Sequence, residues 1–175
     1  MTNEELITQA KENARQNFRE GLNCPECVLA AVISTGIIKD FPPEVVALST
    51  GFGGGVGQYG AICGALAGAT IAVGCVHGRK NPKNGTVEER IMQLQGNPGL
   101  YRLFNNLPND FAEKFGACDC EKLTIKYKDD FGSKERKRQC HQYIIEAAGM
   151  AVEYILKGKE EGFTQKMRKN VSGKK

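Results

Sequence analysis

"TGFGGGVGQYGAICGALAG" occupies residues 50–68, and its reading decides the fold class. Gly55, Gly57 and Gly60 spell G-x-G-x-x-G, the fingerprint of a dinucleotide pyrophosphate loop carried on a parallel sheet. That fingerprint needs a strand before the glycines, a helix after them and an acidic residue about twenty positions on. Residues 63–76 read as the helix, but residues 44–49 offer at best a short strand. Gly78, Arg79 and Lys80 stand where the acid belongs, and no alternating strands and helices follow. No Gly-Lys-Ser/Thr of a phosphate loop occurs either. The run is therefore read as a tight turn that brings Cys63 to a helix N-terminus, not as a nucleotide site.

The helix after this turn is built from Gly64, Ala65, Ala67, Gly68, Ala69 and Ala72, small side chains that let another backbone approach closely. It reads as central, packed either within the chain or across a homodimer. Outward from it the signals are also helical. Thr2 and Glu5 form a capping box, followed by Leu6, Ile7, Ala10, Ala14 and Phe18 at helical spacing. Asn23 caps a second helix with Pro25 in its first turn. Residues 44–48 fit helix or strand. Thr86 and Glu89 form another capping box, and helical pieces carrying Leu103, Phe104, Phe111 and Phe115 stop at Gly116. Ser133 caps a last helix whose stripe of Cys140, Tyr143, Ile144, Ala147, Ala151, Tyr154 and Ile155 ends at Gly158. Strand-like alternation is almost absent. The expected fold is all-α: one helical domain over residues 1–158, then a basic, mobile tail over 159–175.

With 175 residues, 41% of them hydrophobic and 25% charged, the chain is long enough to bury one core. No apolar run approaches the about 18 residues that cross a bilayer, and the polar, acidic start lacks a signal-peptide pattern. A cytoplasmic protein without membrane association is expected. The net charge of +4 is mild. The run Lys134, Glu135, Arg136, Lys137, Arg138 reads as a solvated helix face, and no aromatics interleave it as a nucleic-acid platform requires.

Seven cysteines are the anomaly. In a reducing compartment they signify metal binding, thiol chemistry or small apolar core residues. Cys24-Pro25-Glu26-Cys27 is followed by Val28, so no c-type haem is signalled. The tandem pairs of a zinc ribbon and the close repeats of a bacterial ferredoxin are also missing. Any metal site must be assembled from distant segments. Cys24 and Cys63 lie at expected helix N-termini, which favour thiolate, and the glycine turn can present backbone N–H groups at close range. Cys120 falls in a loop or at a helix start. Cys75, and Cys140 on its apolar stripe, read as core residues, while Cys118 is undecided. His77 and His141 read as solvated rather than as ligands. The spacing of Cys24 and Cys27 is that of a redox dithiol.

The ordered segments Asn23-Cys24-Pro25-Glu26, Thr50-Gly51-Phe52-Gly53-Gly54-Gly55, Cys63-Gly64-Ala65-Leu66-Ala67-Gly68, Phe115-Gly116, Cys120-Glu121-Lys122-Leu123 and Cys140 resemble the C-GCAxxG-C-C family of redox-active proteins. The resemblance covers residues 23–154. It places the family's four cysteines on Cys24, Cys63, Cys120 and Cys140. The chain departs from the pattern in Pro25, where alanine is common, in Ile62, where the family's name has glycine, and in the additional Cys27, Cys75 and Cys118. The same domain occurs in split-Soret cytochromes beside c-type haems, together with an iron–sulfur centre. The haem does not carry over, because the chain has no C-x-x-C-H.

The resemblance implies a helical electron-transfer domain that binds one iron–sulfur cluster, of the 2Fe-2S type, through Cys24, Cys63, Cys120 and Cys140, and that serves a redox partner protein. A metal-free thiol–disulfide oxidoreductase using Cys24 and Cys27, and a structural zinc site, stand as alternatives.

Overall fold

The computed structural model describes residues 1–173. Seven α-helices follow one another: α1 Asn3–Arg19, α2 Cys24–Ser34, α3 Gly64–His77, α4 Val87–Gln95, α5 Leu100–Phe115, α6 Cys120–Thr124 and α7 Lys134–Glu161. Among the described residues the extended pairing is limited to one isolated antiparallel bridge between Ile62 and Asp119. The fold is all-α, as the sequence led us to expect. Residues 44–48, left between helix and strand, belong to a 3-10 segment, Pro43–Leu48.

The helix starts follow local chemistry. Thr2 with Glu5, Asn23 with Glu26, and Thr86 with Glu89 each make a reciprocal capping box, satisfying N–H groups that the first turn leaves without partners. Gly116, with φ of 91°, ends α5 in the left-handed conformation that favours glycine. The helical pieces expected before it form one helix, continuous through Pro108.

Helices α1, α2, α3 and α7 pack into the central bundle, and α5 lies against α3 and α7, with α4 beside it. Helix α3 is apolar on all sides and accordingly lies inside the chain, between α2 and α7. Its small residues set how close α2 can come. A Cβ added at Gly68 would lie 2.6 Å from the Pro25 carbonyl oxygen, and one at Gly64 would lie 2.9 Å from Pro25 Cδ.

Helix α7 corrects two expectations. It runs through Gly158 to Glu161, with Gly162 after it, so the boundary drawn at 158 falls within the helix. Gly158 is a clearance, because a Cβ there would lie 2.5 Å from His77 Nε2. That ring is half-buried, pairs with the Ile155 carbonyl at 2.8 Å and meets Phe163 edge-on, so it is not solvated. Beyond the helix, the described tail lies along α5. The Gly99 N–H donates to the Phe163 carbonyl at 2.8 Å, Asn106 to that of Lys166 at 3.0 Å, and Asn105 to that of Lys169 at 2.8 Å. No helix among the described residues is long and apolar enough to cross a membrane.

Candidate redox site

Four of the seven cysteines line one cavity of about 450 Å3, and each comes from a different part of the chain. Cys24 is the first residue of α2, Cys63 is the N-cap of α3, Cys120 opens α6, and Cys140 lies in the second turn of α7. The other three lie elsewhere. Cys27 is 0% exposed and its thiol donates to the Leu22 carbonyl at 3.3 Å. Cys75 is in the core. The Cys118 thiol donates to the Pro108 carbonyl at 3.2 Å. The cavity also rests on Phe18, whose ring stacks on His141 at 4.5 Å. His141 is therefore half-buried against Phe18 rather than fully solvated.

The glycine turn holds this arrangement together from one side. Residues 54–58 all have φ between 58° and 74°, including the β-branched Val56 at 67° and Gln58 at 69°. A β-branched residue in this region is strained and persists only where its surroundings fix it. Most N–H groups of the turn bond within it: Gly57 to Gly51, Gln58 to Gly53, Gly60 to Gly54 and Ala61 to Gly55. The Gly54 N–H instead faces the Cys24 sulfur and favours its thiolate. The turn was expected to offer a set of N–H groups to the site, and it offers this one, because the tight turn uses its own donors.

The turn's main contribution is clearance. A Cβ at Gly55 would lie 2.8 Å from Cys120 Cβ. The turn's exit is pinned to the start of α6: Cys63 N–H donates to the Cys118 carbonyl at 2.7 Å, Cys120 N–H to that of Ala61 at 2.7 Å, and Glu121 N–H to that of Gly60 at 3.0 Å. These bonds set Cys63 and Cys120 side by side. The entry is tied to α2, where Asn23 Nδ2 donates to the Thr50 carbonyl at 2.9 Å and Thr50 Oγ1 donates to Glu26 at 2.7 Å. Cys24 is thereby fixed against the same turn.

Burial dominates the electrostatics. It raises all four thiols above the ordinary 9.0, Cys63 to about 12 and Cys140 to about 11. Mutual repulsion adds to this, since Cys24 feels Cys120, while Cys140 feels both. The opposing influences are the Leu66 and Ala65 N–H groups at Cys63, the Thr124 hydroxyl at Cys120, and Arg136 at Cys24, Cys120 and Cys140. The Arg136 Nη1 lies 3.7 Å from Cys140 Sγ, and its guanidinium stacks over Phe131 at 4.0 Å.

Sequence reasoning placed Arg136 on a solvated face. It is half-buried and lines the cavity, because Arg136, Cys140 and Tyr143 share one face of α7 at helical spacing. That spacing was the available signal, and it was masked by the surrounding charges. Cys140 belongs to this face and points into the cavity instead of the apolar core.

A family model described as "Putative redox-active protein (C_GCAxxG_C_C)" matches residues 22–154, most of the chain. The chain belongs to this family. Searches of curated proteins and of solved structures each gave no match. The family's description makes the chain a redox-active protein, and the four cysteines that share the cavity are those to which the sequence resemblance assigned the family's pattern. Among the described residues, no three Cys, His, Asp or Glu side chains converge closely enough to grip a single metal ion. The four thiols line a space, not a point.

Proposed function

We propose that Cys24, Cys63, Cys120 and Cys140 together hold one iron–sulfur cluster, of the two-iron type, and that the protein transfers single electrons to and from a partner protein. One observation carries this reading: four thiols from four segments line one cavity, and the other three cysteines do not line it. Four cysteine thiolates are the ligand set of such clusters, which spread their ligands over more than one iron and so require a cavity rather than a point. The donor set fits. The cluster supplies a one-electron couple when bound.

The chain's own residues supply the rest. The Gly54 N–H and the N–H groups at the start of α3 face sulfurs that must become anionic, and Arg136 adds a positive charge. Phe18, Leu22 and Leu123 give the cavity apolar walls beside the thiols. A thiol–disulfide switch through Cys24 and Cys27 is less well supported, since Cys27 is fully buried and bonded to the Leu22 carbonyl. A zinc site asks for ligands converging on one point, which the described residues do not present.

The test is anaerobic purification or reconstitution followed by iron and sulfide analysis, visible absorption and electron paramagnetic resonance of the reduced protein. Two irons and two sulfides per chain are expected. Serine at Cys24, Cys63, Cys120 or Cys140 should abolish or severely weaken retention, whereas Cys27→Ser, Cys75→Ser and Cys118→Ser should keep it. A protein that stays colourless and free of iron after reconstitution overturns the reading.

A further inference from the structure

Tyr143 lies on the cavity wall, 8% exposed, one helical turn beyond Cys140. Its ring is clamped edge-on by Phe115 at 4.8 Å and Phe111 at 6.3 Å, so the hydroxyl has little freedom of position. Gln139 decides what that hydroxyl can do. The Gln139 Nε2 donates to the Leu123 carbonyl at 2.9 Å, an oxygen that can only accept, and this fixes which end of the amide is nitrogen. The same Nε2 donates to the Tyr143 hydroxyl oxygen. The Gln139 Oε1, in turn, accepts from the Tyr127 hydroxyl at 3.0 Å.

The Tyr143 oxygen already accepts from the amide, so its hydrogen must be directed elsewhere. Among the described residues it has no protein acceptor, and Cys140 and Cys63 are its cavity-side electrostatic neighbours. A buried hydroxyl without an acceptor is destabilising, so an arrangement that enforces this state points to a ligand.

We propose that Tyr143, oriented by Gln139, donates a hydrogen bond to the sulfur of the group the four cysteines hold, and so sets its reduction potential. The proposal rests on the cluster reading above. A hydrogen bond to sulfur stabilises the more negative, reduced state, so its loss makes reduction harder. Tyr143 acts as a positioning and tuning residue; no bond to it forms or breaks.

The experiment compares wild type, Tyr143→Phe and Gln139→Met after anaerobic reconstitution, with the midpoint potential as the readout. Tyr143→Phe should keep iron and sulfide at wild-type content. It should lower the one-electron reduction equilibrium about tenfold, or about 59 mV. Gln139→Met should shift the potential the same way by a smaller amount, because the hydroxyl is then free to rotate. Unchanged potentials in both variants overturn the proposal. Should wild type take up no cluster, the cluster reading fails, whereas a loaded wild type whose potential matches that of both variants overturns the Tyr143 assignment alone.

Discussion

Gly55 and Gly57 lie two positions apart in the same turn, and both have left-handed φ, 74° and 58°. They differ in what surrounds them. A Cβ at Gly55 would lie 2.7 Å from the Ala61 nitrogen and 2.8 Å from Cys120 Cβ, whereas nothing lies within 4 Å of one at Gly57. Gly57→Ala should therefore cost only the backbone term, about 1–2 kcal/mol. Gly55→Ala adds a collision with rigid neighbours, and its cost should exceed that of Gly57→Ala by about 1–3 kcal/mol. Denaturant unfolding of the metal-free protein measures both, and equal costs would refute the clearance argument. Val56→Gly relieves strain at a half-exposed side chain and should stabilise the fold by about 1 kcal/mol in the same assay. These differences were hidden in the sequence. The glycines were legible as a turn; which of them faces a cysteine depends on residues about 60 positions further along.

At the level of elements, Gly68 and Gly74 in α3 make a similar pair. Glycine inside a helix is worth about 1 kcal/mol less than alanine, so Gly74→Ala, with open space around it, should stabilise by about that amount. Gly68→Ala should destabilise, because its Cβ would press on the backbone of Pro25 at 2.6 Å and force α3 away from α2. Cys24 and Cys63 begin those two helices, so Gly68→Ala should also widen the gap between them and weaken retention of the proposed cluster. Thermal melts of both variants, with iron content after gel filtration, check this. Stabilisation by Gly68→Ala would contradict it. Helix starts could be read from the sequence because capping is local, as at Thr2, Asn23 and Thr86. Gly158 misled as a helix end because its role is set by His77, about 80 positions earlier. The bridge of Ile62 to Asp119 left no trace in either segment, being too short for any periodicity to show. Arg136 was concealed for a related reason: four charged neighbours made a cavity-lining residue look solvated.

For the whole molecule, the bundle holds four thiols where burial keeps them protonated, and this links stability to pH. Cys63 titrates at about 12 and Cys140 at about 11, against 9.0 in the unfolded chain. A group whose pKa is raised by folding stabilises the folded state fully below its unfolded pKa, and that contribution is lost as pH rises through the folded one. The metal-free protein should therefore hold this part of its stability up to about pH 9 and lose it between about pH 9 and 12, by roughly 1–4 kcal/mol for Cys63. Other groups titrate in the same range, so the informative quantity is the difference between wild type and Cys63→Ser in denaturant midpoints over that window. The gap in stability should narrow steadily with rising pH, and a constant gap would show that burial does not govern this thiol. The loaded protein should respond in the opposite direction. With the proposed cluster bound, its ligand sulfurs would already be thiolates, so the alkaline loss should disappear and acid become the threat, because protons compete with iron for buried sulfur. Cluster absorbance followed from neutral pH downward should fall earlier in Arg136→Ala than in wild type, since that guanidinium favours the thiolate form of Cys24, Cys120 and Cys140 together.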